Sequence, residues 1–199
     1  MPTGVAIRDV RRQLFDAAER VLLRDGPSAL TSRAVTAEAD CAKGVLHRHF
    51  ADFDAFLAEF VLDRVDRMDA QAAALRDAAG TGTVIDNLSH ALAALFESVA
   101  VAIVALITFR DELRARLREA WPAGVPVLTE AAIMIAAYLD AERDRGRIAA
   151  DAAVDGLAAM LIGTTHLLYA DRTGTRPTPD AVREVVTTVL AGVVREPHP

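Results

Sequence analysis

The sequence predicts an all-α fold, with a small N-terminal head of three helices joined to a larger helical bundle. Three observations predict it. Alanine is abundant and aromatic residues make up only 5%, a composition that favours helices over sheets. Apolar residues recur at steps of three and four through most of the chain, the period of one helix face. The β-branched and aromatic alternations that mark strands are missing. At 199 residues, 52% of them hydrophobic and 25% charged, the chain can bury one substantial core or two small ones sharing an interface.

The elements follow in order. Ile7, Val10, Leu14, Ala17, Ala18, Val21 and Leu22 form one stripe, so a first helix is expected from about Ile7 to Arg24, ended by Asp25-Gly26-Pro27. Thr31 can cap a short helix, Ser32 to Ala39, with Ala34, Val35 and Ala39 inward. Asp40-Cys41 is a break of turn length before a second short helix, Ala42 to Arg48. Asp52 can cap a long helix reaching about Ala78. Two short helices across a tight turn, held by flanking helices, make a helix-turn-helix. After "AGTGT" (Ala79–Thr83), apolar helical sequence runs from Val84 to about Glu119. "WPAGVP" (Trp121–Pro126) breaks it. Helices are then expected from about Val127 to Arg145, Asp151 to Tyr169 and Asp180 to Val194, with a polar loop at Asp171–Asp180.

Several function classes are disfavoured. One cysteine cannot form an internal disulfide, so nothing points to an oxidising compartment. Arg8, Asp9, Arg11 and Arg12 stand where a signal peptide needs an apolar run. The longest apolar run, Val99 to Ile107, is about half of the roughly 18 residues a membrane helix requires. A cytoplasmic protein with no membrane partner is expected. The net charge of −6 is uneven: residues 1–50 hold eight Arg/Lys and six Asp/Glu, whereas residues 51–199 hold fourteen and twenty-two. An acidic body with a mildly basic head fits a head that binds a polyanion.

The head carries the most informative stretch, "GPSALTSRAVTAEADCAKGVLHRHFADFDAFL" (Gly26–Leu57), which holds the sole lysine of the chain, Lys43. A helix laid in a major groove is short, lightly decorated at its start and flanked by groups that grip phosphate. Gly44 permits close approach to a backbone. Lys43 and Arg48, with Thr31, Ser32 and Arg33 opening the preceding helix, can meet phosphates on either side of the groove, aided by helix N–H donors. Ala42 and Val45 complete the candidate contact set. Val45 and Leu46 offer a methyl contact or core packing, and Leu46 and Phe50 are expected to face inward. His47 and His49 lie two apart on a helix and point to different sides, which argues against a metal site with Cys41. Cys41 itself fits buried packing better than redox chemistry.

This stretch resembles the N-terminal domain of the tetracycline-repressor (TetR) family of transcriptional regulators. The likeness rests on Gly26, the Thr31 cap, Val35-Thr36, the turn at Ala39-Asp40-Cys41, Ala42-Lys43-Gly44, and His47, Arg48, His49 and Phe50. Three positions depart from the family pattern. Asp40 replaces a turn glycine, and aspartate tolerates the left-handed conformation better than most residues. His47 replaces a tyrosine that donates to phosphate; imidazole can still donate, with a charge that depends on pH. Phe53 replaces a lysine near the start of the fourth helix, which removes one backbone contact. The resemblance implies a DNA-binding domain at residues 1–50, a ligand-binding and dimerisation domain at residues 51–199, and a ligand-responsive repressor released from a palindromic DNA operator.

In the body, large side chains at core spacing read first as plain core. Helical bundles nevertheless place ligand sites between helices, lined by large apolar residues with a few polar ones. Phe60, Phe96, Phe109, Trp121 and Met134 are candidate lining for a small, largely apolar effector. Asn87, His90, Thr108, Tyr138 and His166 are candidates to orient it. No nucleophile elbow, phosphate loop or metal-binding helix motif appears, so no catalytic residue, metal or cofactor is assigned. An enzyme using the same cavity, or a bundle whose head no longer reads DNA, are the alternatives. Homodimerisation is expected through the last two helices. Val154, Leu157, Ala158, Met160, Leu161, Ile162, Leu167 and Leu168 exceed one core-facing stripe, as do Val182, Val185, Val186, Val189, Leu190 and Val193. The resemblance implies the same pairing.

Overall fold

The computed structural model describes residues 4–122, 124–170 and 176–195, with side chains from Val10 onward. The side chain of the stripe position Ile7 and residues 171–175 of the polar loop therefore lie outside what is described. The chain divides into two compact units, Met1–Arg64 with Ala102–Pro126, and Val65–Val101 with Val127–Pro199.

In the first unit, α1 (Gly4–Asp25) buries Leu14, Ala17, Ala18, Val21 and Leu22, the stripe its spacing predicts. Gly26 takes φ 80, open to glycine without strain, and a 3-10 turn (Pro27–Ala29) follows. Thr31, in extended conformation, caps α2 (Ser32–Glu38) by accepting from the Ala34 N–H at 3.1 Å. The helix ends in a Schellman turn: the Cys41 N–H reaches the Thr36 carbonyl at 3.0 Å and the Asp40 N–H that of Ala37 at 3.1 Å. Such a turn needs a left-handed residue, and Asp40 supplies it at φ 48. α3 (Val45–His49) is shorter than the spacing predicts. The Val45 N–H bonds the Ala42 carbonyl at 2.8 Å, so Lys43 and Gly44 occupy a turn ahead of the helix.

Asp52 caps α4 (Phe53–Asp66), its Oδ1 accepting from the Ala55 N–H at 2.7 Å. Phe15, Phe50, Phe56 and Phe60 cluster at the centre of this unit, with Phe50 edge-on to Phe56 at 5.0 Å. Ring pairs at this separation add attraction beyond the area they bury. Leu46 and Phe50 face inward as expected.

The helix expected to reach Ala78 breaks at Arg67, where α5 (Met68–Asp77) begins. The apolar run from Val84 to Glu119 is three helices: α6 (Val84–Phe96), α7 (Ala100–Thr108) and α8 (Asp111–Ala120). Ser98 makes the first break. Its hydroxyl bonds the Leu95 carbonyl and accepts from the Ala100 N–H at 3.3 Å, so the side chain competes with the helix ladder and caps the next helix. Arg110, in extended backbone, makes the second.

In the second unit, Thr83 caps α6, which buries Val84, Leu88, Leu92, Leu95 and Phe96. α5, α10 (Val154–Ala170) and α11 (Pro179–Val189) pack against α6, and α10 against α11. α9 (Pro126–Asp144) buries Ala131, Ile135, Tyr138, Leu139 and Glu142. The Ala149 N–H bonds the Val193 carbonyl and the Arg195 N–H the Arg147 carbonyl, both at 2.8 Å, which fastens the segment after α11 to the α9–α10 connection.

The surplus apolar residues of α10 divide between two directions. Leu161 and Ile162 are buried within the unit, whereas Met160 and Leu167 are 56% and 74% exposed. With the exposed Gly156 and Gly163 they form one outward stripe. Among the described residues no single helix is long and apolar enough to cross a membrane.

Candidate functional site

The head's candidate contacts are presented on α2, the turn and α3. Thr31, Arg33, Ala42, Lys43, Gly44, His47 and Arg48 are exposed, and Ser32 and Val45 are half-buried. Gly44 has an ordinary φ of −78, and a Cβ added there would meet no atom within 4 Å. Nothing within the described chain requires glycine at that position.

The frame behind these residues is stiffly tied. Gln13 donates to the Ala39 carbonyl at 2.7 Å, which holds the turn against α1. Arg11 donates to the His49 carbonyl at 3.2 Å, lies 4.4 Å over the Phe50 ring and pairs with Glu59, so α3 is pinned where it ends. Arg20 and Arg24 grip Glu38 at 2.7 and 2.8 Å; their hydrogen bonds, that of Arg20 foremost, hold its carboxyl below the usual range. Arg64, nearly buried, meets Asp16 at 3.1 Å, Glu19 at 2.6 Å and Asp63, with Phe60 beneath its guanidinium at 4.9 Å. This joins α1 to α4.

The head's cations therefore fall into two groups. Arg11, Arg20, Arg24 and Arg64 are paired with carboxylates. Among the described residues Arg12, Arg33, Lys43 and Arg48 have no carboxylate partner. Arg12 was not singled out by the motif. Only a count of partners could find it.

Phe53 has a different task from the lysine it replaces. It stacks on Phe56 at 5.6 Å and forms a shelf under Arg110, whose guanidinium lies 5.4 Å from the ring. Arg110 pairs with Asp54 at 2.9 Å, and Arg116 pairs with the α4 cap, Asp52. α8 and the residue before it are thus bound to the first turn of α4, two residues beyond the end of the core-facing Phe50. Cys41 is half-buried, and burial pushes its thiol up.

The candidate effector residues are dispersed. Phe60, Thr108, Phe109 and Trp121 belong to the first unit. Phe60 is part of the aromatic cluster, Thr108 bonds the Val104 carbonyl at 2.8 Å, Phe109 is 81% exposed and Trp121 is half-buried. In the second unit, His90 is exposed with Nδ1 2.7 Å from the Asp86 carbonyl, and Met134 is buried. Asn87 and Tyr138 meet each other. The Asn87 amide donates to the Tyr138 oxygen at 3.0 Å, and the Tyr138 hydroxyl donates to Glu142 at 2.6 Å. Glu142 also accepts from the Gly80 N–H at 3.2 Å and lies 3.3 Å from Arg147. Burial, then the bond to Glu142, pushes the Tyr138 hydroxyl well above its ordinary pKa. Phe96 and His166 also meet, with ring centres 6.1 Å apart, and Tyr169 stacks on Phe96 at 5.7 Å. Burial pushes the His166 imidazole down. The motif reading missed Glu142 and Tyr169. Each lies on the face of a named neighbour, four residues after Tyr138 and three after His166, so helical spacing could have found them.

Residues 14–60 match the sequence model of the tetR family of bacterial regulatory proteins. No curated protein matches the sequence significantly. The fold is similar to that of a TetR transcription regulator from Haloarcula marismortui, at 15% identity over 94% of this chain and 100% of that one, TM-score 0.70. It is similar to reduced NemR from E. coli, at 13% identity over 96% and 100%, TM-score 0.74. A third is the transcriptional regulator FadR from Bacillus subtilis in complex with stearoyl-CoA, at 16% identity over 92% and 98%, TM-score 0.66. At these identities the likeness is one of fold. Residues 14–60 thus carry the N-terminal domain of the tetR family of bacterial regulatory proteins, in a chain whose fold is similar over most of its length to that of such regulators.

Proposed function

We propose that this chain is a ligand-responsive transcriptional regulator in the cytoplasm, a homodimeric repressor that a small, largely apolar molecule releases from a palindromic operator. Residues 1–50 read DNA, and residues 51–199 hold the effector and the partner copy. The observation that carries this reading is the set of exposed cations without a carboxylate partner among the described residues, Arg33, Lys43 and Arg48, on the helix-turn-helix of a chain whose net charge is −6. Cations left exposed beside a short helix with an open Gly44 suit a phosphate backbone.

The exposed stripe of Met160, Gly163 and Leu167 supports pairing through α10 and α11, since a second copy would cover it. Small residues there allow close approach, and the two-fold relation places two heads on one face of a duplex. An effector must then favour the dimer state whose heads miss the groove spacing, by about 1–3 kcal/mol for ordinary coupling. The ion pairs of Arg110 and Arg116 with the start of α4 give α8 a direct hold on the head.

The test is selection of duplexes from a randomised pool by the full chain. The expected product is a palindrome whose half-sites lie about one helical turn apart, roughly 34–36 Å. Enrichment of no sequence, or of sites without two-fold symmetry, overturns the reading.

A further inference from the structure

Five buried side-chain atoms have no hydrogen-bond partner among the described residues. Three belong to charged groups facing an opposite charge: Arg64 Nε is 2.6 Å from Glu19, Asp140 Oδ1 2.5 Å from Arg143, and Glu142 Oε2 3.3 Å from Arg147. The other two are Thr165 Oγ1 and His166 Nδ1, consecutive on α10. A buried hydrogen-bonding atom left unpaired costs folding free energy, so two side by side call for a reason. Thr165 is fully buried.

The surroundings of His166 are aromatic. Tyr169 follows Thr165 by four residues and His166 by three, so it is the helical neighbour of each on α10. Phe96, from α6, touches both rings, 6.1 Å from His166 and stacked 5.7 Å from Tyr169 at an interplanar angle of 23°. No formal charge belongs to this group. Burial pushes the His166 pKa down, which favours the neutral imidazole, and the two charges felt by Tyr169, Glu97 and Arg176, oppose each other from exposed residues. A buried carboxylate of the unit, Glu142, is already held by Tyr138, Gly80 and Arg147.

We infer that Thr165, His166, Phe96 and Tyr169 form the effector site, and that it takes an uncharged planar aromatic molecule bearing one hydroxyl group, a phenol in the simplest case. The inference rests on the effector-responsive reading above. A phenolic hydroxyl has one proton to give and lone pairs to accept with. With the imidazole proton on Nε2, His166 Nδ1 accepts the phenol proton and the Thr165 hydroxyl donates to the phenol oxygen, so both orphaned atoms are satisfied at once. The aromatic body then stacks among rings that already stack on each other. Among the described residues the four side chains include no cation to neutralise a carboxylate or phosphate and no carboxylate for an ammonium, and the Glu97 and Arg176 charges that reach Tyr169 oppose each other.

The experiment titrates the full chain with 1-naphthol, naphthalene and 1-naphthoate by calorimetry. 1-Naphthol should bind about tenfold or more tightly than either control, the worth of one or two hydrogen bonds. Thr165→Val, close to isosteric, and His166→Leu should each weaken 1-naphthol by about five- to tenfold and leave naphthalene unchanged. Helicity and melting temperature are followed for both, and Thr165→Val decides alone if His166→Leu does not fold. Equal binding of 1-naphthol and naphthalene overturns the site. So does a Thr165→Val variant that melts higher and binds 1-naphthol as before, since the hydroxyl then meets only water. Binding to the selected duplex is measured in parallel. Failure with 1-naphthol by a chain that still binds the duplex overturns the aromatic site alone; failure on every duplex overturns the regulator reading and leaves the naphthol comparison to judge the site.

Discussion

Lys43→Ala gives the sharpest test of how the head meets DNA. Lys43 is exposed, sits in the turn ahead of α3 and has no carboxylate partner among the described residues, so its removal should leave the fold within about 0.5 kcal/mol of the original. Each phosphate neutralised by a protein contributes about 0.9 to the slope of log affinity against log salt on duplex DNA. Two heads on one operator lose two such contacts, so the slope should flatten by about 1.8. Between 50 and 200 mM salt that difference amounts to about tenfold in affinity, well within reach of fluorescence anisotropy. The control is Arg20→Ala, which removes an equal charge from the same head. Arg20 is spent on Glu38 at 2.7 Å, and Arg24 keeps that carboxylate paired. Its slope should not move. Equal slopes for the two variants refute the division between free and spent cations, and a change of only about 0.9 for Lys43→Ala refutes the two-headed complex.

Arg64→Ala strips three carboxylates of a nearly buried partner, a loss of 3–5 kcal/mol in buried pairs; because Asp16, Glu19 and Asp63 are each more than a quarter exposed, about 2–3 kcal/mol is expected in urea unfolding, and under about 0.5 refutes the link between α1 and α4. Asp40→Ala should cost about 1 kcal/mol and Asp40→Gly should not destabilise, because only glycine escapes the strain of φ 48; equal unfolding midpoints would show the turn relaxes instead. Leu167→Asp should yield a folded monomer by light scattering, since that side chain is 74% exposed, while Leu161→Asp, fully buried, should cost about 3 kcal/mol or more and lower helicity; a dimer surviving Leu167→Asp and Met160→Asp moves the interface off α10.

The head was legible because its signals are local. Thr31, Asp40 and Asp52 each act on backbone groups within four residues, and the α1 stripe needs only its own period. The run from Val84 to Glu119 was not legible as three helices, since its apolar period continues across both breaks. The first depends on one serine hydroxyl. The second sits at Arg110, whose partner Asp54 is remote in sequence. Phe53 likewise looked like a lost phosphate contact until Arg110 was found lying over it.

What separates site from scaffold is whether the fold has already used a group's chemistry. Arg20 and Lys43 are alike as residue types, and the sequence marks only the second through its motif. The carboxylate of Glu38 is what makes them different. Asn87 and Tyr138 looked like ligand-orienting groups on apolar helices, as did His166. In the structure the first two are consumed by each other and by Glu142, whereas His166 Nδ1 and Thr165 Oγ1 have no hydrogen-bond partner among the described residues. A buried polar residue that is satisfied holds the fold, and one that is not asks for a ligand. The same count, applied to the surface of the head, leaves Arg12, Arg33, Lys43 and Arg48 without a carboxylate partner among the described residues, and the proposed reading gives the last three to DNA. Both ends of the proposed switch are thus argued from the charges and hydrogen bonds that folding leaves over.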